Sequence, residues 1–328
     1  MGRSRRYADA ALRIIFTASA YFLAAQIGLR LALVGNQVTP LWPPTGVGLA
    51  CLLLLGLRIW PGIALGAFAV NILLGPTALA VLIIAAGNTL APIAAYLLLE
   101  RVGFRRNFDR VTDALALVFL GAMVGMLISA TVGSLTRVVV GATPAREFWA
   151  AWSVWWTGDA MGVLIVAPLI LVAWSWRIPT RVNPLRVLEA VTVILGTFVV
   201  VLVATLQSAN LLFMIFPFLI WAALRFHLSG ALPCALVGSV VVIFAASRNF
   251  STFIGLDLTA RMITLQAFNG SVALTALLLA TITAQRDRAT AALDDACAQL
   301  AQAAIILNQG RPLEGLIDIL HQVKSPIQ

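Results

Sequence analysis

Charged side chains are scarce in this chain of 328 residues: 11% are Asp, Glu, Lys or Arg, whereas 61% are hydrophobic. Average soluble domains are about one quarter charged. Together with a mean hydropathy of +0.98, this scarcity excludes a water-soluble globule. We expect an all-α, polytopic transmembrane helical bundle followed by a cytoplasmic signalling helix, with the lipid bilayer as its main partner.

Lysine is almost absent, since Lys324 is its only occurrence among 22 basic residues. The net charge of +9 therefore comes from arginines, which lie in short clusters between apolar runs. Such clusters normally determine the topology of a membrane protein rather than bind a polyanion. No nucleic-acid partner is expected.

Cysteine and histidine are equally sparse, with three and two occurrences. Cys51, Cys234 and Cys297 lie far apart, and we interpret all three as small core residues. His227 ends an apolar run, where it can interact with the terminal carbonyls of a helix. Without a phosphate-binding loop, zinc-ligand spacing or catalytic triad, residues 1–328 predict no enzyme activity, no cofactor and no metal.

Hydrophobic runs divide residues 11–284 into eight to ten segments, behind a short cytoplasmic N-terminus at 1–10. The first run extends from Ile14 to Val34. Nine more follow, some of them short enough to be re-entrant or interfacial: 44–57, 61–75, 77–99, 112–139, 153–175, 187–206, 211–224, 229–247 and 262–284.

Arginine alternates between successive connections, which predicts their sidedness. Arginines occur at every connection predicted to be cytoplasmic, namely Arg58, 100–110, 177–186, 225–227 and 286–288. The connections predicted to lie outside carry few of them: 36–40, 75–76, 140–152, 207–210 and 247–261. Both termini are therefore expected in the cytoplasm, and the chain in the bacterial inner membrane.

Two proline turns, each next to a tryptophan, bracket a short apolar run between Leu41 and Gly62. Proline is tolerated in the first turn of a helix, and indoles favour the lipid–water boundary. By residue types alone this is a helical hairpin with interfacial anchors. The residues that define it are Trp42, Pro43, Pro44, Gly46, Trp60, Pro61 and Gly62.

Polar residues inside apolar runs are the candidates for function, because each is costly in lipid. Asn71 and Asn88 are either hydrogen-bonding links between helices or ligand contacts. Asp159 follows three tryptophans at helical spacing, and it is either a helix N-cap or a functional intramembrane charge. The tryptophans are Trp152, Trp155 and Trp156.

A buried Asp159 needs a partner, and Arg58, Arg137 and Arg225 are the candidates. Such a pair beside indoles could hold a small polar or aromatic ligand, or it could be a structural ion pair. The sequence does not select among these possibilities. The stimulus is therefore expected to be an unidentified small ligand or a membrane partner protein.

Three stretches resemble the bacterial membrane-associated sensor domain of the first type, the MASE family. Its W-P-P-[ST]-G and G-x-R-x-W-P-G motifs match residues 42–46 and 56–62, and its W-W-x-G-D-x-x-G block matches 155–162, followed by Pro168. A later block matches around Pro217. The resemblance, over about 10–284, implies a sensory input module whose outputs are usually diguanylate cyclase, phosphodiesterase or histidine kinase domains. The alternative is a small-molecule permease, which would not need the helix that follows.

Apolar residues recur at spacings of four and three after the last membrane segment, a heptad pattern that predicts a coiled-coil signalling helix at 285–309 and a homodimer through 289–307. They are Ala289, Leu293, Ala296, Leu300, Ala303 and Leu307. Residues 310–328 resemble the opening helix of a GAF domain, cut short. Two alternatives are a histidine-kinase phosphoacceptor box at His321 and a plain tail.

Overall fold

The computed structural model describes residues 3–30, 39–75, 77–175, 183–207 and 211–308, and every regular element in these ranges is helical. The helices are α1 (Arg3–Arg30), α2 (Pro43–Leu55), α3 (Trp60–Asn71), α4 (Ala78–Arg101), α5 (Val111–Ala116), α6 (Leu127–Val139), α7 (Phe148–Met161), α8 (Ala167–Ser175), α9 (Pro184–Leu206), α10 (Ile215–Phe226), α11 (Leu228–Ser247) and α12 (Leu258–Asn308). The predicted all-α bundle is confirmed.

Seven segments of the described chain are long and apolar enough to cross a membrane. They are Tyr7–Arg30, Ala78–Arg101, Val111–Val139, Ala145–Ser175, Pro184–Leu206, Leu228–Ser247 and Thr259–Ala304. The helices α2, α3 and α10 match the three remaining predicted segments, but each is shorter. At 13, 12 and 12 residues, they reach about 20 Å, which is short of the roughly 30 Å hydrocarbon core.

π-Helical stretches continue two of the long segments, Leu117–Val124 between α5 and α6 and Gly162–Val166 between α7 and α8. The second ends just before Pro168, which has no N–H to donate to the preceding turn. A wider π turn at this place accommodates the missing donor without ending the helix. The chain therefore stays helical from Phe148 to Ser175.

Helix α2 is central in the bundle although it is short. Residues 43–53 are all buried, and α2 packs against α1, α4, α7 and α8. Pro43 and Pro44 occupy its first turn, where a missing N–H costs nothing. Gly56 ends it at φ +86°, a conformation that favours glycine.

The described residues form two compact units, one within residues 1–281 and one that begins at residue 282. The first has two apolar cores, a large one that includes Leu49, Met126 and Leu265, and a smaller one around Tyr21 and Ile63. In the second, the described part is the C-terminal end of α12, where side chains 285–302 are exposed.

Two of the predicted core cysteines, Cys51 and Cys234, are buried. The prediction was wrong for Cys297, which is exposed, because it lies in the polar stretch of α12 whose side chains are all exposed from 285 to 302. The predicted GAF-like start at 310–328 and His321 lie outside the described residues, so they stay predictions.

Candidate functional site

The N-terminus of α2 and the end of α7 approach each other at backbone contact. The N–H of Trp42 donates to the carbonyl oxygen of Gly158 at 2.9 Å. A Cβ on Gly162 would lie 2.0 Å from the Trp42 carbonyl oxygen, and a Cβ on Gly46 would lie 2.1 Å from that of Gly162. These glycines are required by the approach, so the W-P-P-T-G stretch and the W-W-T-G-D stretch form a single packing unit.

Asp159 lies inside this unit and is 1% exposed. Its Oδ1 accepts a hydrogen bond from Thr45 Oγ1 at 2.6 Å, and its Oδ2 accepts one from Ser129 Oγ. The donors come from α2 and α6, so three helices meet at one carboxylate. Asp159 is the twelfth residue of α7, and the interpretation of Asp159 as a helix N-cap is therefore wrong.

The partners of Asp159 are two hydroxyl groups, whereas the sequence predicted an arginine. Ion pairs in the described ranges include Arg110–Asp113, Arg146–Glu147 and Arg225–Glu189, and Asp159 is in none of these three. Arg58 lies exposed in the turn between α2 and α3. An ion pair between Asp159 and any of the three expected arginines is absent from that set, so this expectation was wrong for the described residues.

A cavity of about 620 Å³ opens beside Asp159. Of the candidates from the sequence, Asn71, Asn88, Trp155 and Asp159 all line it, and so does Arg137. The lining comes from the ends of α1, α3 and α6, from the starts of α2 and α12, from the first half of α4 and from most of α7. Because consecutive spans alternate in direction, these ends and starts belong to the same end of the bundle.

The tryptophans of α7 divide between two environments. Trp155 lines the cavity and packs on Gly133, where a Cβ would lie 2.5 Å from the indole. Trp152 and Trp156 instead stack on each other, with 5.6 Å between ring centroids. Their Nε1 atoms donate to Thr131 Oγ1 at 3.0 Å and to the carbonyl of Met123 at 2.8 Å. These two indoles fix α7 against α6 and are not among the cavity-lining residues.

The remaining sequence candidates lie in three places. Asn71 Nδ2 donates to the carbonyl of Ala67 in its own helix at 2.8 Å, and Asn88 is 8% exposed. Arg225 binds both oxygens of Glu189 through Nε, at 3.0 and 2.9 Å, and lies outside the cavity. Among the family-motif prolines, Pro168 is buried and Pro217 is exposed in the first turn of α10.

Four polar residues of the site were missed by the sequence analysis: Thr45, Ser129, Thr157 and Gln266. Gln266 lines the cavity from α12, and its Nε2 donates to Thr157 Oγ1 on α7. The available signal was that Gln266 interrupts the apolar start of the last span. A hydroxyl gives no such signal, because Ser and Thr are common in membrane helices, where they bond to their own backbone.

Within the described residues, no group of three His, Cys, Asp or Glu side chains is placed to hold a metal ion. What the site offers is a buried carboxylate, amides and indoles around an open volume. This arrangement can bind a small molecule.

The geometry and the motifs identify the class of protein. The model of the MASE1 family, which comprises membrane-associated sensory input domains, matches residues 12–287, and the chain belongs to that family. It is a multi-pass membrane protein, as the seven long apolar segments and the family both indicate.

One similar curated protein is the probable diguanylate cyclase DgcE of Escherichia coli strain K12. It is 27% identical over 215 residues, which cover 62% of this chain and 18% of the relative. The chain therefore corresponds to less than one fifth of that relative's length. No solved structure matches.

Replacing Gly162 with alanine is expected to reduce the amount of folded protein. Alanine is favoured over glycine in a helix interior by about 1 kcal/mol, but the new Cβ would lie 2.0 Å from the Trp42 carbonyl oxygen. Overpacking of this kind costs about 1–3 kcal/mol. The measurement is membrane abundance together with the temperature of unfolding in detergent.

Gly270→Ala is the matched control, because the nearest heavy atom to its added Cβ is 4.0 Å away. We expect it to leave abundance unchanged. Equal behaviour of the two variants would contradict the close approach of α2 and α7.

Proposed function

We propose that the chain detects a small molecule in the cavity beside Asp159 and passes the signal along α12 to a cytoplasmic output domain. The observation that carries this proposal is that the cavity wall includes both the Asp159 unit and the first turns of α12. The relative's name supports a diguanylate cyclase as the output. In this proposal, catalysis belongs to that output domain, and the chain itself catalyses no reaction.

Helix α12 is suited to transmit a change in the cavity. Its residues Met262, Ile263 and Gln266 line the cavity. Leu265 and Ala276 are buried in the large core, and the same helix continues to Asn308. A ligand that contacts its first turns therefore acts on an element that continues to Asn308.

The hydrogen bond between Gln266 and Thr157 links α12 to the helix that carries Asp159. One turn further on, both amide atoms of Asn269 are buried without a partner among the described residues. A buried amide without partners costs free energy, about 1–3 kcal/mol. A small rotation or shift of α12 that satisfies Asn269 would recover part of this cost, so α12 has a physical reason to adopt a second position.

Variants of the cavity and of the link should change output without loss of protein. The chain through Gln328 is fused to a diguanylate cyclase domain, and cyclic di-GMP is measured per unit of membrane-inserted protein. Ala151→Phe fills the cavity and Gln266→Leu removes the link to Thr157. Because coupling free energies are typically 1–3 kcal/mol, each should change the cyclic di-GMP level about fivefold or more.

The matched controls are Ala145→Phe, which adds the same ring at an exposed position outside the cavity, and Gln302→Leu in the exposed part of α12. Both should leave output unchanged. Normal output from Ala151→Phe and Gln266→Leu at normal abundance would refute the proposal.

The orientation that we propose places both termini in the cytoplasm of a bacterium and the cavity at the outer end of the bundle. It is supported by the arginine asymmetry of the connections and by the cavity lining, which comes from the ends predicted to lie outside. Reporter fusions after residues 105, 180 and 288 should behave as cytoplasmic, and one after residue 142 as periplasmic. Periplasmic activity at residue 180 would overturn the orientation.

We also propose that α12 pairs with a second copy of the chain through residues 289–307. Leu293 and Leu300 are 64% and 71% exposed, and their heptad spacing places them on one seam. A partner helix of the same sequence would bury these regularly spaced leucine side chains.

Leu293→Asp with Leu300→Asp should abolish self-association, because charges would be buried at the seam. Self-association is measured by bismaleimide crosslinking through Cys297, which is exposed, whereas the other two cysteines are buried. Ala291→Asp with Ala298→Asp places two charges at the same spacing away from the seam, and it should crosslink normally. Unchanged crosslinking in the leucine variant would contradict pairing of two copies through Leu293 and Leu300.

A further inference from the structure

We infer that the cavity takes a small organic cation, whose ammonium group is held by the carboxylate of Asp159. This inference rests on the proposed function and adds the chemical class of the ligand.

The first observation is the uncompensated charge of Asp159. Its two hydrogen-bond donors, Thr45 and Ser129, are neutral hydroxyls, and the ion pairs of the described residues do not include it. A carboxylate taken out of water is costly unless an opposite charge accompanies it. An ammonium group in the cavity would supply that charge. Protonation of Asp159 is the competing solution, and the experiment below separates the two.

The second observation is the pairing of the charged residues on the cavity wall. Among the lining residues, Asp159 and Glu147 are acidic and Arg137 is basic. Glu147 pairs with Arg146 at 3.7 Å, and Arg137 Nε donates to Thr143 Oγ1 at 3.2 Å. Asp159 is therefore the acidic group of the wall with which a cation in the cavity would pair.

The third observation is the aromatic and amide lining. The indoles of Trp42 and Trp155 border the same volume as Asp159, and an indole face attracts a cation. Asn71 and Asn88 add amide oxygens that can accept from an ammonium or hydroxyl group. The volume of about 620 Å³ lies within the usual range for small-ligand sites, roughly 300–1,000 Å³.

Thr45 and Ser129 act as positioning residues. Because their hydroxyls occupy one acceptor site on each oxygen of Asp159, they fix the orientation of the carboxylate. An ionised carboxylate offers about four acceptor sites, so the two hydroxyls leave part of its accepting capacity unused.

The test compares cations with uncharged molecules of the same shape. The full chain is placed in lipid nanodiscs and titrated with choline against 3,3-dimethylbutan-1-ol, and with n-butylammonium against 1-butanol. We expect at least one cation to bind about tenfold or more tightly than its uncharged counterpart. For n-butylammonium, whose N–H groups can donate to Asp159, a charge-assisted hydrogen bond corresponds to roughly a tenfold to hundredfold change in affinity, and Asp159→Asn should weaken its binding by this factor.

Two further variants complete the design. Glu100→Gln removes a carboxylate at the exposed end of α4, outside the cavity, and it should bind the cation normally. Ala151→Phe fills the cavity and should abolish binding, which provides a test even if Asp159→Asn fails to fold. Equal binding of cations and alcohols, failure of both cations to bind, or unchanged cation binding in Asp159→Asn or in Ala151→Phe would overturn the inference. Unchanged binding in Asp159→Asn is the result that a protonated Asp159 predicts.

The output fusion separates this inference from the proposed function. If Ala151→Phe and Gln266→Leu change cyclic di-GMP but no cation binds, the ligand class is wrong and the sensory role stands. If a cation binds through Asp159 but those variants leave output unchanged, the binding site stands and the sensory role is wrong.

Discussion

The structure depends on the backbone contact between the start of α2 and the end of α7. Glycines at 46, 158 and 162 leave no side chain between the two helices, and the Trp42 N–H bonds directly to Gly158. Only at this distance can the short side chain of Thr45 reach Asp159 at 2.6 Å. The two prolines that begin α2 serve the same end, because they let the helix start inside the bundle without exposing unpaired N–H groups. Small residues at helix contacts replace the hydrophobic effect, which is weak between helices that are surrounded by lipid.

Short helices explain why there is room for a cavity. Since α2 and α3 have only 13 and 12 residues, they do not fill the bundle over its whole length. The remaining volume is lined by the ends of their neighbours, where polar side chains are less costly than in the middle of the membrane. Asp159 is at the inner boundary of this volume. Its two hydroxyl donors satisfy part of its hydrogen-bonding capacity while they leave its charge uncompensated, which is the combination that a charged ligand can use.

The sequence predicted the helical segments well because hydropathy and arginine asymmetry are local properties. It also predicted that Asn71, Asn88 and Asp159 matter, and the structure brings these three to one cavity. It did not predict the neighbours of each side chain. Trp152, Trp155, Trp156 and Asp159 share a broad side of α7, but that side contacts two neighbours, and the stacked pair Trp152–Trp156 faces one of them. The N-cap alternative for Asp159 was wrong because it relied on the strictly apolar run, which begins after Asp159, whereas the helix begins eleven residues earlier, at Phe148. Aromatic residues at the start of a helix make its first residue hard to place from hydropathy, and an N-cap assignment depends on that residue.

The packing of α12 against its neighbouring helices determines whether ligand binding in the cavity can shift this helix. Below Gln266 the residues that α12 buries include Ala273, Ala276 and Ala280, and Gly270 has its nearest neighbour 4.0 Å from an added Cβ. Larger side chains of α12 are buried there too, among them Phe268, Val272 and Leu277, so the alanines lower the resistance to a shift without removing it. Of the two amides in this part of the helix, Gln266 is bonded while Asn269 is not. A buried amide without partners makes α12 responsive to a small energetic change at one end, and this is the physical requirement for the last span of a sensory module.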